Sequence, residues 1–393
     1  MGRRGGPEHL SPMGDVERTL AEIDAALSAS NAPRTVMPRA AYVDPDFLRL
    51  ERERIFAREW LCVGWAGAIA EPGQYLTYQI NDQPVFAMRQ ADGSIRAFSN
   101  VCLHRLMLLL PDGPEAGRCG KRFSCPYHGW TYERDGRLVG APQMPGLDKA
   151  DMRLPEIACA EWSGFVFVSL AADPPDLAAR LAPLTEAVAP YRPEGYLQAV
   201  TQDHVWRTNW KLLAENFMES YHLPVAHRRT VGAWCPVDQV RFPHPPHPAY
   251  TCQTFPKDPD AKYGVAPPEN EHLSGDLRCT SIMPTVFPAT MFVLAPDHLW
   301  WLSLMPRAVD QVHVRFGASI APERLRALPD VETYLRETVA FFDRVNDEDR
   351  GLVESIHRGT RAPLAKPGPL SWMEQGLCEY QQYIYDTLSE RQK

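Results

Sequence analysis

Asn209-Trp210-Lys211-Leu212-Leu213-Ala214-Glu215-Asn216-Phe217-Met218-Glu219-Ser220-Tyr221-His222-Leu223-Pro224-Val225-Ala226-His227 is the stretch around which the chain is organised. Read as a helix, it spaces Glu215, Glu219 and His222 at i, i+4 and i+7, which sets them on one face. His227 follows His222 by five residues and would sit well round a regular helix. Pro224 disfavours helix at Leu223 and ends the regular ladder, so the chain can turn His227 back towards His222. Two neutral imidazoles and one carboxylate on one face of an iron(II) leave the opposite positions open, the logic of a facial triad. Taken alone, two histidines at a helix end are as often ordinary side chains as ligands.

About a hundred residues upstream stand Cys102-Leu103-His104 and Cys125-Pro126-Tyr127-His128, with twenty residues between His104 and Cys125. Each half offers one thiolate and one imidazole from a tight loop. Two such loops facing each other can place two cysteines on one iron and two histidines on the other, the mixed ligation of a Rieske [2Fe–2S] centre. A structural zinc site of the Cys2His2 type would need the same atoms.

The surroundings carry a resemblance. Asn100-Val101-Cys102-Leu103-His104-Arg105, followed by Cys125-Pro126-Tyr127-His128-Gly129-Trp130-Thr131-Tyr132, resembles the Rieske oxygenases, the aromatic-ring-hydroxylating family of α subunits. Trp60-Leu61-Cys62-Val63-Gly64 and Gly93-Ser94-Ile95-Arg96-Ala97-Phe98 agree with it, and the resemblance covers about residues 45–360. Respiratory Rieske proteins carry a further cysteine pair, whereas Leu106 and Tyr127 stand at those places here. The chain departs from the family in having Leu106 where Gly is usual and an apolar interval at Leu108–Leu110; Cys119 reads as a bystander.

The resemblance implies a Rieske [2Fe–2S] cluster held by Cys102, His104, Cys125 and His128, and a mononuclear Fe(II) held by His222, His227 and a distant carboxylate. Asp349, in Asn346-Asp347-Glu348-Asp349-Arg350, is the expected third ligand, within a crowd of carboxylates that includes Asp343, Asp347 and Glu348. Glu219 stands where ring-hydroxylating members usually have Asp. Its expected role is to join His222 of one chain to His128 of the next, since both imidazole N–H groups are donors. Asn216 is expected to border the open iron position, with helix packing as its alternative.

Such an enzyme passes electrons singly from the cluster to the iron, activates O2 and inserts oxygen into an organic molecule. No G-x-G-x-x-G follows a strand, so a separate NAD(P)H-dependent flavin or iron–sulfur reductase is implied, and the family's inter-chain electron step implies a homotrimer. Glu219 in place of Asp resembles members acting on carnitine, choline or betaine, where oxygen inserted at an N-methyl group ends as formaldehyde. Trp300, Trp301, Phe287, Phe292, Tyr250 and Tyr263 are the available cation–π partners. The competing reading is hydroxylation of an aromatic ring, for which those rings line an apolar pocket. A non-catalytic electron carrier or zinc-binding protein is the alternative of a different class.

The whole chain bounds these readings. With 45% hydrophobic and 23% charged residues, the 393-residue chain has an ordinary globular composition. Forty-one Lys and Arg against 49 Asp and Glu leave a net charge of −8, which gives a nucleic-acid partner no electrostatic support. No apolar run reaches the roughly 18–20 residues that span a bilayer, and no apolar stretch follows Arg3-Arg4. Nine cysteines without paired spacing do not form a disulfide framework, so a cytoplasmic protein is expected.

The expected fold is α+β. Residues 1–44 are a tail and helix, with 1–14 Gly/Pro-rich and disordered; 45–163 are a small all-β Rieske domain; 164–393 are a helix-grip catalytic domain, an antiparallel sheet with helices. Helices are expected over Asp15–Ser30, from Asp44 to about Trp60, over Leu177–Val188, over 205–227, from Pro329 to about Gly359 and over Trp372–Leu388. Strands are expected at Gln74–Ile80, Pro84–Arg89, Ile95–Ser99, Arg122–Cys125, Thr131–Glu133, Phe165–Leu170, Thr290–Ala295, Leu299–Met305 and Gln311–Ala318. The Pro- and His-rich residues 240–272 are expected to form a long loop over a pocket.

Overall fold

The computed structural model describes residues 14–29, 33–233 and 235–390. Apart from Gly14, the expectation for residues 1–14 lies outside the described residues. Helix α1 (Asp15–Ser28) sets Val16, Leu20, Ile23 and Leu27 against the main core, as the three-to-four spacing requires. Then come α2 (Ala40–Val43) and α3 (Pro45–Glu51). Asp44 caps α3 by accepting the Asp46 N–H at 2.8 Å, and Pro45 stands in the first turn, where its missing N–H costs nothing. A π-helical turn over Arg52–Phe56 ends this helix before Trp60.

Ten strands follow: β1 (Leu61–Trp65), β2 (Gln74–Ile80), β3 (Gln83–Arg89), β4 (Ile95–Ser99), β5 (Gly117–Arg118), β6 (Arg122–Ser124), β7 (Thr131–Glu133), β8 (Leu138–Gly140), β9 (Glu156–Trp162) and β10 (Phe165–Ser169). Seven pair antiparallel in the order β1-β10-β9-β4-β3-β2-β5, and β6-β7-β8 form a small second sheet. The boundary expected at 163/164 falls inside the β9–β10 hairpin, whose turn is made by Ser163 and Gly164, so the first sheet runs on to Ser169.

The single helix expected over Leu177–Val188 is two, α4 (Leu177–Arg180) and α5 (Ala182–Val188). Pro183 has no N–H to continue the ladder and takes the first turn of the second helix. Next come β11 (Leu197–Trp206), α6 (Trp210–Phe217), α7 (Leu223–Ala226), β12 (Tyr250–Pro256), β13 (Thr280–Val286), β14 (Thr290–Leu294), β15 (His298–Ala308) and β16 (Gln311–Ile320). The chain closes with α8 (Pro322–Arg326), α9 (Val331–Thr360) and α10 (Gln375–Leu388). The six strands form one antiparallel sheet, ordered β11-β16-β15-β14-β13-β12.

Two expectations need correction here. The helix expected over 205–227 begins only at Trp210, because Val205 and Trp206 finish β11 and Asn209 caps α6 by accepting the Lys211 N–H at 3.1 Å. The loop expected over 240–272 contains β12, whose strand-favouring Tyr250, Thr251, Thr254 and Phe255 are hidden among flanking Pro and His residues.

Helix α9 lies across this sheet, with Tyr334, Phe341, Phe342, Val345 and Val353 buried on one side. Phe342 stacks on Trp300 of β15 at 6.0 Å and meets Phe316 of β16 edge-on at 6.5 Å. Arg315, 2% exposed on β16, ties the two large sheets together. Its guanidinium donates to the carbonyls of Val63 at 3.0 Å, Thr77 at 2.7 Å and Gly113 at 3.0 Å, and grips both Asp203 oxygens at 2.8 Å. No helix is long and apolar enough to cross a membrane among the described residues.

Candidate metal centres and active-site cavity

The first cluster of candidate ligands sits on two loops of matching design. One follows β4, and the other joins β6 to β7. In each, the cysteine N–H donates to the carbonyl five residues on: Cys102 to Met107 at 2.8 Å, and Cys125 to Trp130 at 2.7 Å. In each, the residue four positions after the cysteine donates back to its carbonyl: Leu106 to Cys102 at 3.1 Å, and Gly129 to Cys125 at 3.0 Å. That closing residue is left-handed in both, with φ of 60° at Leu106 and 70° at Gly129. Asn100, fully buried, pins the first loop by exchanging two 2.9 Å hydrogen bonds with the Leu110 backbone.

The loops bring the His104 and His128 rings to 4.6 Å between centroids, and His104 stacks on Trp130 at 4.9 Å. Tyr132 accepts the Leu103 N–H at 3.1 Å and lies 3.2 Å from the Cys102 sulfur, where its hydroxyl can donate. Burial pushes the Cys102 thiol up, while the Tyr132 hydrogen bond works the other way. Partial desolvation by its neighbours and the His104 and Arg105 charges hold the exposed His128 below its usual range, which favours the neutral ring that a metal needs. Nδ1 of His104 is buried without a hydrogen-bond partner, an orphaned lone pair that a metal would satisfy. These donors fit a cluster better than a lone ion. Among the described residues, the group whose ligand atoms close within 4.8 Å of one another, as one ion requires, lies elsewhere. Cys119 contacts Met88 Sδ at 3.8 Å and joins no ligand.

That group is His222, His227 and Asp349. The way the first two arrive corrects the sequence reading. Helix α6 stops at Phe217, so Glu215, Glu219 and His222 do not share a helical face. Glu215 is drawn away from the site, its carboxylate accepting from the Tyr42 hydroxyl at 2.9 and 3.0 Å. Beside it Lys211 and Glu51, both without exposure, pair at 2.6 Å, and Trp210 Nε1 donates to Glu51 at 2.8 Å. The N-terminal segment thereby holds α6 in place. Pro224 does not end a helix but helps begin α7, in whose first turn it needs no N–H. His222 and His227 flank this short helix as its caps, and their rings come to 5.1 Å.

The resulting geometry is ordered by carboxylates. Glu219 hydrogen-bonds Nδ1 of His222 and accepts the His222 N–H at 3.2 Å. Glu348 does the same service for His227, meeting its Nδ1 at 2.7 Å, and is itself held by the Thr230 hydroxyl at 2.6 Å. Both Nε2 atoms then face Asp349 Oδ1, at 3.6 Å from His222 and 2.9 Å from His227. Burial works to lower the proton affinity of His227, but Asp349 and Glu348 overcome it and hold it above the ordinary value. Two imidazoles and a carboxylate converging in this way, each ring oriented by an acid behind it, fit an iron(II) site. Asn216 donates to Asp349 Oδ1 at 2.9 Å, so it braces the carboxylate from within the cavity.

The role of Glu348 was invisible in the crowd of acids, but Asp349 carried a signal of its own. It lies four residues from both Val345 and Val353, on the apolar stripe of α9, where an acid has no packing reason to be. The three candidate ligand residues border a cavity with about 730 Å³ of empty space, also lined by Phe217, Trp300, Phe341 and Phe342. Of the six aromatic residues expected to hold a cation, Trp300 and Tyr263 line it. Trp301, Phe292 and Tyr250 are buried in the neighbouring core and Phe287 packs on Tyr380 and Tyr383, since alternate strand residues face opposite ways.

Residues 59–154 match the family model for the Rieske [2Fe-2S] domain, and residues 193–390 that for the ring hydroxylating alpha subunit (catalytic domain). A glycine betaine monooxygenase oxygenase subunit of Chromohalobacter salexigens is 30% identical over 390 residues, covering 90% of this chain and 86% of that protein. A chlorobenzene dioxygenase subunit alpha of Cupriavidus sp. is 36% identical over 190 residues, 46% of this chain and 42% of its own. The crystal structure of the quaternary ammonium Rieske monooxygenase CntA with its substrate L-carnitine superposes with a TM-score of 0.75 at 22% identity, covering 91% of this chain and 97% of that one.

Proposed function

The chain belongs to the ring-hydroxylating Rieske oxygenases as a catalytic α subunit, and on that premise we propose that it oxidises a quaternary ammonium compound at a carbon bonded to nitrogen. As a member it is an oxidoreductase with a Rieske [2Fe–2S] cluster and a mononuclear iron. The observation that carries the substrate reading is the 30% identity to a glycine betaine monooxygenase subunit over 90% of the chain. The aromatic wall of Phe217, Trp300 and Phe342 suits a cation held by ring faces.

In this reading Cys102, His104, Cys125 and His128 hold the cluster, and His222, His227 and Asp349 hold the iron. When bound, the two centres supply single electrons and O2 activation. Glu219 and Glu348 fix the ring tautomers so that both Nε2 lone pairs point at one place, and Asn216 keeps Asp349 turned towards it. The apolar wall excludes water from the carbon to be oxidised. One oxygen atom enters a C–H bond beside nitrogen, and the other leaves as water with two electrons and two protons supplied from outside. The hemiaminal so formed collapses to an amine, a proton and a carbonyl compound.

The natural division is a Rieske domain running from about 45 through β10 and a catalytic domain after it, with the N-terminal segment folded on the latter. The electrons come from a separate NAD(P)H-dependent reductase, the working assembly is a homotrimer, and the protein is cytoplasmic. Exposed apolar side chains near both centres support the assembly: Leu106 (79% exposed) and Tyr127 (54%) beside the cluster, Tyr221 (58%) and Val225 (80%) beside the iron ligands. His128 is exposed beside Tyr127, whose ring lies 3.7 Å away, within reach of a neighbouring chain. Glu219 is then the acceptor to which a neighbour's His128 hydrogen-bonds.

A single-turnover experiment tests the substrate class. The iron-loaded protein, its cluster reduced with dithionite, is mixed with O2 and glycine betaine, carnitine, choline or naphthalene. A carbonyl product from an ammonium compound, near one per reduced site, supports the proposal. Hydroxylated naphthalene with no product from any ammonium compound overturns it in favour of ring hydroxylation.

A further inference from the structure

We infer that Lys257, Ser281 and His298 form a carboxylate-binding end of the cavity, so that the substrate is a zwitterion in which a short chain joins a quaternary ammonium group to a carboxylate. This rests on the ammonium reading above and narrows it.

Strand register sets the layout. Gln253 pairs with Met283 and Phe255 with Ser281; Ile282 pairs with Leu294, Val293 with Trp300, and the Ala295 N–H meets the His298 carbonyl at 2.8 Å. Two rows therefore cross the sheet. Gln253, Met283, Val293 and Trp300 make the one nearer α6, since Gln253 donates to the Phe217 carbonyl at 3.4 Å and Trp300 meets the Phe217 ring at 5.6 Å. Phe255, Ser281, Ala295 and His298 make the other, one two-residue step along the strands, roughly 7 Å further on. Lys257 follows beyond Phe255, its N–H bonded to the Cys279 carbonyl at 2.7 Å. The sheet wall of the cavity thus passes from Met283, Val293 and Trp300 to Ser281, His298 and Lys257 with distance from α6.

The polar groups there are unspent. Ser281 is 1% exposed, and its hydroxyl oxygen has no hydrogen-bond partner. His298 is oriented by buried Asp297, which meets its Nδ1 at 2.7 Å and is otherwise occupied by the Gly264 N–H at 2.9 and 3.1 Å. That leaves Nε2 of His298 as the ring's remaining polar atom, which donates to a carboxylate when the ring is an imidazolium. Lys257 makes no ion pair among the described residues, and its side chain lies over Gly264. A Cβ on Gly264 would come within 2.6 Å of the Lys257 ammonium nitrogen, so the glycine makes room for the cation.

The charges complete the argument. Glu219 and Asp349 border the cavity beside α6, and Lys257 stands with the polar row, where its charge also acts on the buried Asp297. A zwitterion lies along that field with its methyl groups towards the iron ligands and its carboxylate towards Lys257, where charge-assisted hydrogen bonds are available. An amino alcohol such as choline gains nothing from Lys257 and is repelled by it.

The test measures kcat/KM and calorimetric affinity for glycine betaine, carnitine, choline and benzoate in the intact protein and in Lys257→Met, Lys257→Gln, Lys257→Arg and Gly264→Ala. We expect the carboxylated ammonium compounds to be preferred over choline. Lys257→Met should weaken them about ten- to hundredfold, chiefly in KM, while choline, relieved of the repulsion, should bind somewhat better. Lys257→Arg should keep most of the preference. If the Met variant does not fold, Lys257→Gln, which keeps a polar end without the charge, should show the same loss, and Gly264→Ala adds the strain of a left-handed φ of 80° to any displacement of the ammonium group. Equal use of choline and betaine, unchanged by these substitutions, overturns the carboxylate end and leaves the ammonium reading standing. Lysine-dependent binding of benzoate with no binding of any ammonium compound overturns the ammonium reading, and with it the zwitterion.

Discussion

Leu106 and Gly129 hold the same place in the two ligand loops and share a left-handed backbone, yet only one of them is a glycine. A side chain in this conformation costs roughly 1–2 kcal/mol, partly offset because glycine loses about 0.5–1 kcal/mol more backbone entropy on folding. Leu106 is 79% exposed, so little packing is lost with it. Leu106→Gly should leave stability within about 1 kcal/mol of the parent or slightly above it, with the cluster's visible absorption intact. A β-branched Leu106→Val should cost about 1–3 kcal/mol. Denaturant titration followed through that absorption compares the two; a large loss in the glycine variant would mean that the leucine contributes something beyond closing the loop.

Glu348 stands behind His227 as Glu219 stands behind His222. Glu348→Ala should weaken mononuclear iron binding about ten- to hundredfold while the Rieske spectrum stays unchanged. Asp349→Ala should abolish that iron altogether. Iron retained per chain against graded chelator reads both, and parental retention in Glu348→Ala would show that Thr230 and packing alone orient His227.

Burial pushes the Glu215 carboxyl up to about 8, against the opposing effect of the Tyr42 hydrogen bond and Lys211. The folded protein therefore keeps a proton that the unfolded chain, with an ordinary value of 4.5, has released. Stability from this group is present below the unfolded value and falls as pH rises through the window from about 4.5 to about 8. Glu215→Gln still offers Tyr42 an acceptor and should flatten that slope. Melting temperatures of both proteins between these limits make the comparison, and parallel profiles would assign the slope to another group.

Arg315 joins the two large sheets through a buried fork, and its charge, with His313, holds the Asp203 carboxyl well below the usual carboxylate range despite burial. Arg315→Met leaves Asp203 and three carbonyls without their partner, a loss of about 3–5 kcal/mol. Calorimetry should then resolve separate melting of the Rieske and catalytic parts. A single transition at the parental temperature would place the coupling in the apolar contacts instead.

The β-sheet of the first half was legible because its strands alternate between turn signals such as Asp92-Gly93. The two Cys-His pairs stood out as candidate ligands because cysteine and histidine at those spacings have few other uses. Beyond them, the sequence misled where tertiary contacts compete with local pattern. Glu215 has the right spacing to join His222, but a tyrosine from the far N-terminus claims it. Pro224 reads as a stop and serves as a start. Glu348 could not be told from Asp347 by composition, and only the twist of α9 turns one towards His227 while the other stays 76% exposed. Ser281 and His298 lie in strands that read as ordinary core, so their shared row becomes visible only once the register is known.

The fork of Arg315 on carbonyls from three separate segments has a consequence for traffic as well as for stability. A cluster mounted on a sheet anchored in this way is a fixed terminal, not a swinging arm. It cannot shorten its distance to an iron by moving within its own chain. In the proposed assembly, the gap an electron crosses is therefore set when the chain folds and meets its neighbours.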